Sequence, residues 1–459
     1  MAPARVGVAK RRAAQSSSGD GAAKKPRALR RDEELSDGDA DDDDKGRGGA
    51  GSDEGSEEEV EENSGETRLR LAKQYLSMVE EQVAKAADEE EDDLTFNQDA
   101  IAHRLQQDVA SARGKVLQKV ADGIKGALAT SLGASKNLAS RGHKLSTTAL
   151  AVIGDRLAFT ASKDGSVLRW DLKSNTKTRI FPVEGKVGPP IHALAASTDG
   201  SYVAFGGQDM FVHVWDDKEQ KLVQSFKGHR GRVSCVSFQE GTKRLFSGSH
   251  DRTIKVWNLD EMCYVETLFG HQDEITGIAS LMKERCVSCG RDRTVRLWKV
   301  VEESQLVFRG HISSIDNITM MTEELFGAGG QDGTVSLWNA QKKKPSAQCK
   351  AAHGHDSTGH PNWITAVAAL PHSDLMASGS SDGFVRLWKC GADHVSLEEV
   401  AKIPVDGFVN GLRWTTDGHS LVAAVGQEHR LGRWTRDGGA RNGLVVVKVF
   451  GEKGAGGKK

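Results

Sequence analysis

An all-β chain folded as a seven-bladed propeller is what this sequence predicts, and three observations carry the prediction. Short β-rich runs recur with a period of about 40 residues, four runs to a unit. Seven tryptophans close equivalent runs: Trp170, Trp215, Trp257, Trp298, Trp338, Trp388 and Trp434. Six residues before each stands a carboxylate: Asp164, Asp209, Asp251, Asp292, Asp332, Asp382 and Glu428. An offset kept through every unit marks a repeated structural element and not a single site.

The clearest unit runs from Lys227 to Trp257, KGHRGRVSCVSFQEGTKRLFSGSHDRTIKVW, and the same grammar returns at Gly270-His271 and Gly310-His311. Four residues before the acid lies Thr160, Ser247, Ser288 or Ser378, and a histidine precedes that hydroxyl by 17 or 18 residues: His143, His229, His271 or His360. These four sets, completed by Asp164 and Trp170, Asp251 and Trp257, Asp292 and Trp298, and Asp382 and Trp388, resemble the structural tetrad of WD-repeat proteins. There the acid caps a turn and binds the histidine, which reaches the hydroxyl and then the indole. Such a buried polar network holds only when its members find partners. His311 keeps the register, but Ala328 stands where its hydroxyl should be. The second unit has Phe205 in place of the hydroxyl, and the last has Ala424 and Glu428. The competing reading of His, Ser and Asp side by side is a hydrolase triad, but triads do not recur in every repeat.

The flanks differ from the repeats. Residues 1–65 read as a disordered tail, basic and then acidic. The first 31 residues hold nine Lys/Arg against one Asp, and Lys10-Arg11-Arg12 and Lys24-Lys25-Pro26-Arg27 have the spacing of a bipartite nuclear-localisation signal. Residues 32–62 hold sixteen Asp/Glu against Lys45 and Arg47 and cannot fold alone. Ser36, Ser52 and Ser56 lie among those acids as candidate phosphorylation sites. Residues 66–129 read as a helical extension. Leu69, Ala72, Leu76, Val79 and Val83 share one face; Ile101, Leu105 and Val109 form another row, and Val116, Val120, Ile124 and Leu128 a third. These stripes need cover, from the propeller or from a partner. The propeller is assigned to 136–450 and a flexible basic tail to 451–459. Ring closure needs an outer strand for the last blade; the run before His143 is favoured over Leu444–Val449.

The first 62 residues sum to −6 and residues 63–142 to −1, so the remainder carries about five excess positive charges under a total of −2. Turn positions beside the tetrad acids hold His250, Arg252, Arg291, Arg293, His429 and Arg430, with Arg230 and Arg232 after a Gly-His. Such turns share one rim of a propeller. A cationic rim can track a phosphate backbone, and Arg252, Arg291, Arg293, Arg430 and His429 are the candidate RNA contacts. Catalytic signals are missing: there is no phosphate-binding Gly-Lys-Ser/Thr loop, and no cofactor is expected. Cys286 and Cys289 have metal-like spacing, but in a strand they face opposite sides. His353, His355 and His360 lie in a Gly-rich insertion without supporting ligands, so no metal is expected either. Six unpaired cysteines point to a reducing compartment, and no apolar run is long enough for a membrane span.

Several stretches are more particular than the repeat grammar. RLRLAKQYL (68–76), YVETLFGHQD (264–273), EESQLVFRGH (302–311) and VGQEHRLGRW (425–434) resemble the WD-repeat family specific to the U-three (U3) small nucleolar ribonucleoprotein, across roughly residues 66–450. The resemblance implies a non-enzymatic nucleolar protein. It implies binding to the U-three small nucleolar RNA at its box B/C element, beside a kink-turn-binding box C/D core protein. It also implies work with other proteins of the small-subunit processome in ribosomal RNA processing. The alternative class is a nuclear WD-repeat adaptor, a ubiquitin-ligase substrate receptor or a chromatin scaffold. A ligase receptor would usually carry an F-box or an adaptor-binding helix pair, and residues 66–129 show neither.

Overall fold

The computed structural model describes residues 117–124, 136–138, 143–181, 188–391 and 393–450. The chain divides into two units, Met1–Ala72 and Lys73–Lys459, and every described residue belongs to the second. Both basic clusters (Lys10, Arg11, Arg12, Lys24, Lys25, Arg27), the acidic block, the expected helices before residue 117 and the tail 451–459 lie outside the described residues.

Seven four-stranded antiparallel sheets form the fold. Blade 3 shows the pattern: Val233–Phe238, Arg244–Ser249, Thr253–Asn258 and Cys263–Phe269 run inner to outer. Blades 1, 2, 4, 5 and 6 span 147–181, 191–227, 275–309, 315–349 and 366–404. The inner strands of neighbouring blades lie side by side around a closed ring. Because blades pack face to face, the inner three strands are covered on both sides: all six residues of Leu325–Gly330 are buried. The outer strand Lys221–Lys227 is mostly exposed and polar. Blade-to-blade approach is set by small residues. A Cβ on Gly248 would lie 2.9 Å from Ile275 Cγ2, and one on Gly329 only 2.4 Å from Ile364 Cγ2, so the next blade's entry leaves room for glycine alone.

Blade 7 closes the ring. Phe408–Trp414, Ser420–Gly426 and Gly443–Lys448 are its first three strands, and Lys136–Leu138 adds the outer one, pairing Lys136 with Val446 and Leu138 with Leu444. The N-terminal side therefore supplies the closing strand, while the Leu444 run is the third strand. This corrects the reading of Trp434 as the seventh strand-closing tryptophan. Val447, opposite Leu421, holds the place that Trp257 holds opposite Leu245. The glycines and polar residues around Trp434 disfavour a strand, which begins only at the apolar Leu444-Val-Val-Val run.

One piece of the N-terminal extension is described, and it lies on the propeller. Gln118 bridges to Ser373 and a 3-10 turn covers Ala121–Gly123. Ala121 and Ile124 are fully buried in the apolar cluster between blades 6 and 7. Of the expected helical row, Val116 and Leu128 lie outside the described residues, and Ile124, after the 3-10 turn, has helical backbone.

Candidate nucleic-acid interface

Polar networks at the edge of five blades position the turns that could meet a ligand. In blade 3, His229 Nδ1 lies 2.9 Å from Asp251, its Nε2 lies 2.8 Å from Ser247 Oγ, and Trp257 Nε1 donates to the same hydroxyl at 2.8 Å. Blade 4 repeats this with His271, Asp292, Ser288 and Trp298 at 2.7–2.8 Å. Blade 1 inserts one group: His143 meets Thr160 at 2.8 Å, but its Nδ1 meets Ser166 at 2.7 Å, and Ser166 donates to Asp164. Trp170 completes the set on Thr160.

Blade 6 corrects the sequence reading. His353, not His360, lies 2.9 Å from Asp382 and 2.8 Å from Ser378, and Trp388 donates to Ser378. His360 is exposed and donates its main-chain N–H to Asp356 within the insertion. The insertion follows the histidine, so counting back from Ser378 by the usual interval lands inside it. Blade 5 mends its missing hydroxyl. Ser336, directly across the strand pair from Ala328, lies 2.6 Å from His311 Nε2 and accepts Trp338 Nε1 at 2.8 Å. Blade 2 has no such network: Phe205 packs on Phe181 and His213 at 4.9 and 5.1 Å, and the indole N–H of Trp215 is buried without a partner. Among the described residues no cluster could hold a metal, and Cys286 and Cys289 pack into separate apolar clusters.

The turns between second and third strands all project from one end of the ring. Arg252 and Arg293 follow the tetrad acids there, exposed, with φ of 68° and 62°. Blades 1, 5 and 6 place Gly165, Gly333 and Gly383 at that position. Neither guanidinium has a side-chain partner among the described residues. Arg291 is exposed but paired with Glu274 at 2.9 Å, and Glu274 also meets His250 at 2.8 Å.

His429 and Arg430 sit differently from the other three. Both belong to the 427–442 connection of blade 7. The main-chain carbonyl of Glu428 accepts from Ser146 and Asn410, the N–H of Arg430 donates to Asn410, and Lys163 donates to Gly432 O at 2.9 Å. Arg430 crosses the mouth of the ring and donates to the main-chain carbonyl of Asp316 in blade 5. It does not pair with the neighbouring Glu428, which meets Arg433 at 3.1 Å and Lys163 at 3.5 Å. His429 is buried, and burial, with Arg430 and Lys163 beside it, pushes its imidazole down to about 3. It is neutral at physiological pH and offers no charge to a phosphate. The same connection aims Trp434 outward, 61% exposed, beside Trp363. Neither aromatic was singled out in the sequence as a contact; the glycine-rich, strand-breaking surroundings of Trp434 were the available signal.

The WD domain, G-beta repeat family matches residues 178–216, 220–258, 262–299 and 353–389. Similarity to single proteins extends further. The human "U3 small nucleolar RNA-interacting protein 2" (Homo sapiens) is 41% identical over 405 residues, 85% of this chain and 83% of that protein. This chain belongs to that U3 WD-repeat family. A second member, "U3 snoRNP-associated protein-like EMB2271" of Arabidopsis thaliana, is 35% identical over 85% of this chain and 87% of its own length. A solved structure described as "Crystal structure of RRP9 WD40 repeats" superimposes with a TM-score of 0.65 at 44% identity, covering 67% of this chain and 96% of that one. The U3 family members thus share the seven-bladed ring and extend beyond the repeat motif itself.

Proposed function

We propose that this chain is the non-catalytic, RNA-binding WD-repeat subunit of a U3 small nucleolar ribonucleoprotein. It holds the box B/C region of the RNA against the tetrad-turn face, beside a kink-turn-binding core protein. It acts as a scaffold in ribosomal RNA processing within the nucleolar small-subunit processome, and the basic clusters near residues 10 and 25 serve nuclear import. Its likeness to a U3 small nucleolar RNA-interacting protein and a U3 snoRNP-associated protein supports the RNA and the particle.

One observation in this chain supports the face. Arg252 and Arg293 hold left-handed backbone where blades 1, 5 and 6 use glycine and blade 2 has Met210. A non-glycine residue there costs about 1 kcal/mol or more, and such strain gathers at functional sites. Among the described residues neither guanidinium has a hydrogen-bond or ion-pair partner that would offset this cost. A free, forked cation on a rigid turn suits a phosphate.

The test is to replace both by what the fold prefers. Arg252→Gly with Arg293→Gly should leave the thermal midpoint unchanged or higher. Affinity for U3 box B/C RNA, with the kink-turn protein present, should fall at least tenfold at physiological salt. The slope of log K against log salt should shrink by roughly 2. A folded double variant that binds with the parent's affinity and slope would move the RNA to another surface.

A further inference from the structure

The mouth of the ring contains a cavity of about 260 Å³ with two kinds of wall. One wall is aromatic. Trp363 and Trp434 have ring centroids 5.3 Å apart at 68°, and His429 packs against both at 5.5 and 5.3 Å. Trp434 is held in place although it is largely exposed: a Cβ on Gly432 would lie 2.9 Å from three atoms of its ring, so only glycine lets the indole fold back over the loop. The other wall is polar, with Glu274, Arg291, Asp316, Gln331 and Arg430. Asp316 is fully buried, and its Oδ2 has no hydrogen-bond partner among the described residues; neither has Arg430 Nε. Burial pushes the Asp316 carboxyl up to about 6, against the pull of Arg430. Buried polar atoms are normally paired, so two unpaired ones on one cavity mark a place for a polar guest.

We infer that this cavity receives one unpaired nucleobase of the bound RNA, stacked on Trp434 with an exocyclic amine turned toward Asp316. The inference rests on the RNA-binding reading of the same face. The shape and chemistry select the guest. A lysine or arginine side chain from a protein would meet Arg232, Arg291 and Arg430, while Glu274 is already occupied by Arg291 and His250. An acidic side chain would oppose Asp316 and leave the indole unused. A base is flat and neutral, carries N–H donors on its edge, and brings phosphates that the arginines of the rim can hold.

The experiment uses the full chain and U3 box B/C RNA with the kink-turn protein. Each unpaired nucleotide is replaced in turn by an abasic residue. For the parent protein one position should weaken binding at least tenfold. Trp434→Ala, with the propeller shown by circular dichroism to remain folded, should weaken the intact RNA by a similar factor and add nothing further on that abasic RNA. Asp316→Asn, which keeps the side-chain shape, should abolish discrimination between the native base and its amine-lacking analogue, with the salt slope unchanged. If RNA binds with a steep salt slope but Trp434→Ala is additive with every abasic position, the pocket does not hold a base, a protein side chain becomes the remaining guest, and the RNA face itself stands. If intact RNA fails to bind at all, both readings fall.

Discussion

Ser336 shows how a network survives the loss of its usual member. Ala328 occupies the hydroxyl position of blade 5, yet the hydroxyl has crossed one rung of the ladder and still joins His311 to Trp338. Ser336→Ala should leave a buried imidazole nitrogen and indole N–H unpaired and cost roughly 1–3 kcal/mol. Adding Ala328→Ser should restore much of it, because the new oxygen then stands where Ser247 and Ser288 stand in blades 3 and 4. Thermal unfolding of the single and double variants reads this directly; equal loss in both would deny that the two positions are interchangeable. The sequence held the signs for most of these residues, since the offset from acid to tryptophan lies within one turn and one strand. It lost His353 because the histidine enters from the preceding blade, across an insertion of no fixed length. Ser336 was hidden for another reason: a contact across a strand pair has no sequence spacing of its own.

At the scale of an element, Leu117–Ile124 shows what holds the chain before the first blade on the ring. Ile124 is fully buried in the apolar cluster between blades 6 and 7, and Val120 is half-buried. Asp374, however, takes the N–H groups of Val120 and Ala121 at 2.8 and 3.0 Å, and Gln118 exchanges main-chain bonds with His372 and Asp374. N–H groups at the start of a helical turn have no carbonyl four residues back to bond, and the Asp374 carboxylate takes them instead. The apolar period is legible in the sequence, whereas the competing acceptor lies more than 250 residues away. Asp374→Ala should leave two buried donors unpaired and detach the segment, costing about 1–3 kcal/mol. Hydrogen exchange at Val120 and Ala121 should accelerate by at least tenfold while the blade 3 amides stay protected. Unchanged protection at those two amides would show that apolar packing alone holds the segment. The last blade teaches the same lesson at its seam: Trp434 keeps the offset from Glu428, but an offset cannot report whether the chain between is a strand.

For the molecule as a whole, five of the seven blades are pinned by aspartates, Asp164 buried and the other four half-buried, and this makes a pH dependence. Burial works against the charge of Asp164, Asp251, Asp292, Asp332 and Asp382, but hydrogen bonds from histidine, hydroxyl and main-chain N–H groups prevail and hold all five below the ordinary carboxylate value of 3.8. Because the folded values are depressed, their stabilisation is complete above the ordinary unfolded value and is lost as pH falls from there through the folded values. The urea midpoint should therefore owe these groups no change between pH 7 and 5, and should drop steeply from about pH 4 downward. A midpoint as high at pH 3 as at pH 6 would show that the carboxylates contribute nothing. The seam of blade 7 has a consequence of another kind, in the time course of folding. Lys136–Leu138 must find Gly443–Lys448 after nearly the whole intervening chain has been made. Drawing such distant ends together costs roughly 5 kcal/mol of chain entropy, and contacts so remote form late. Six blades can stack in succession as the chain emerges, with the first strand waiting unpaired. A chain cut short before Gly443 could never seal and would display a bare sheet edge, the kind of surface on which incomplete molecules associate. Ring closure thus acts as a check that translation has reached the end of the propeller.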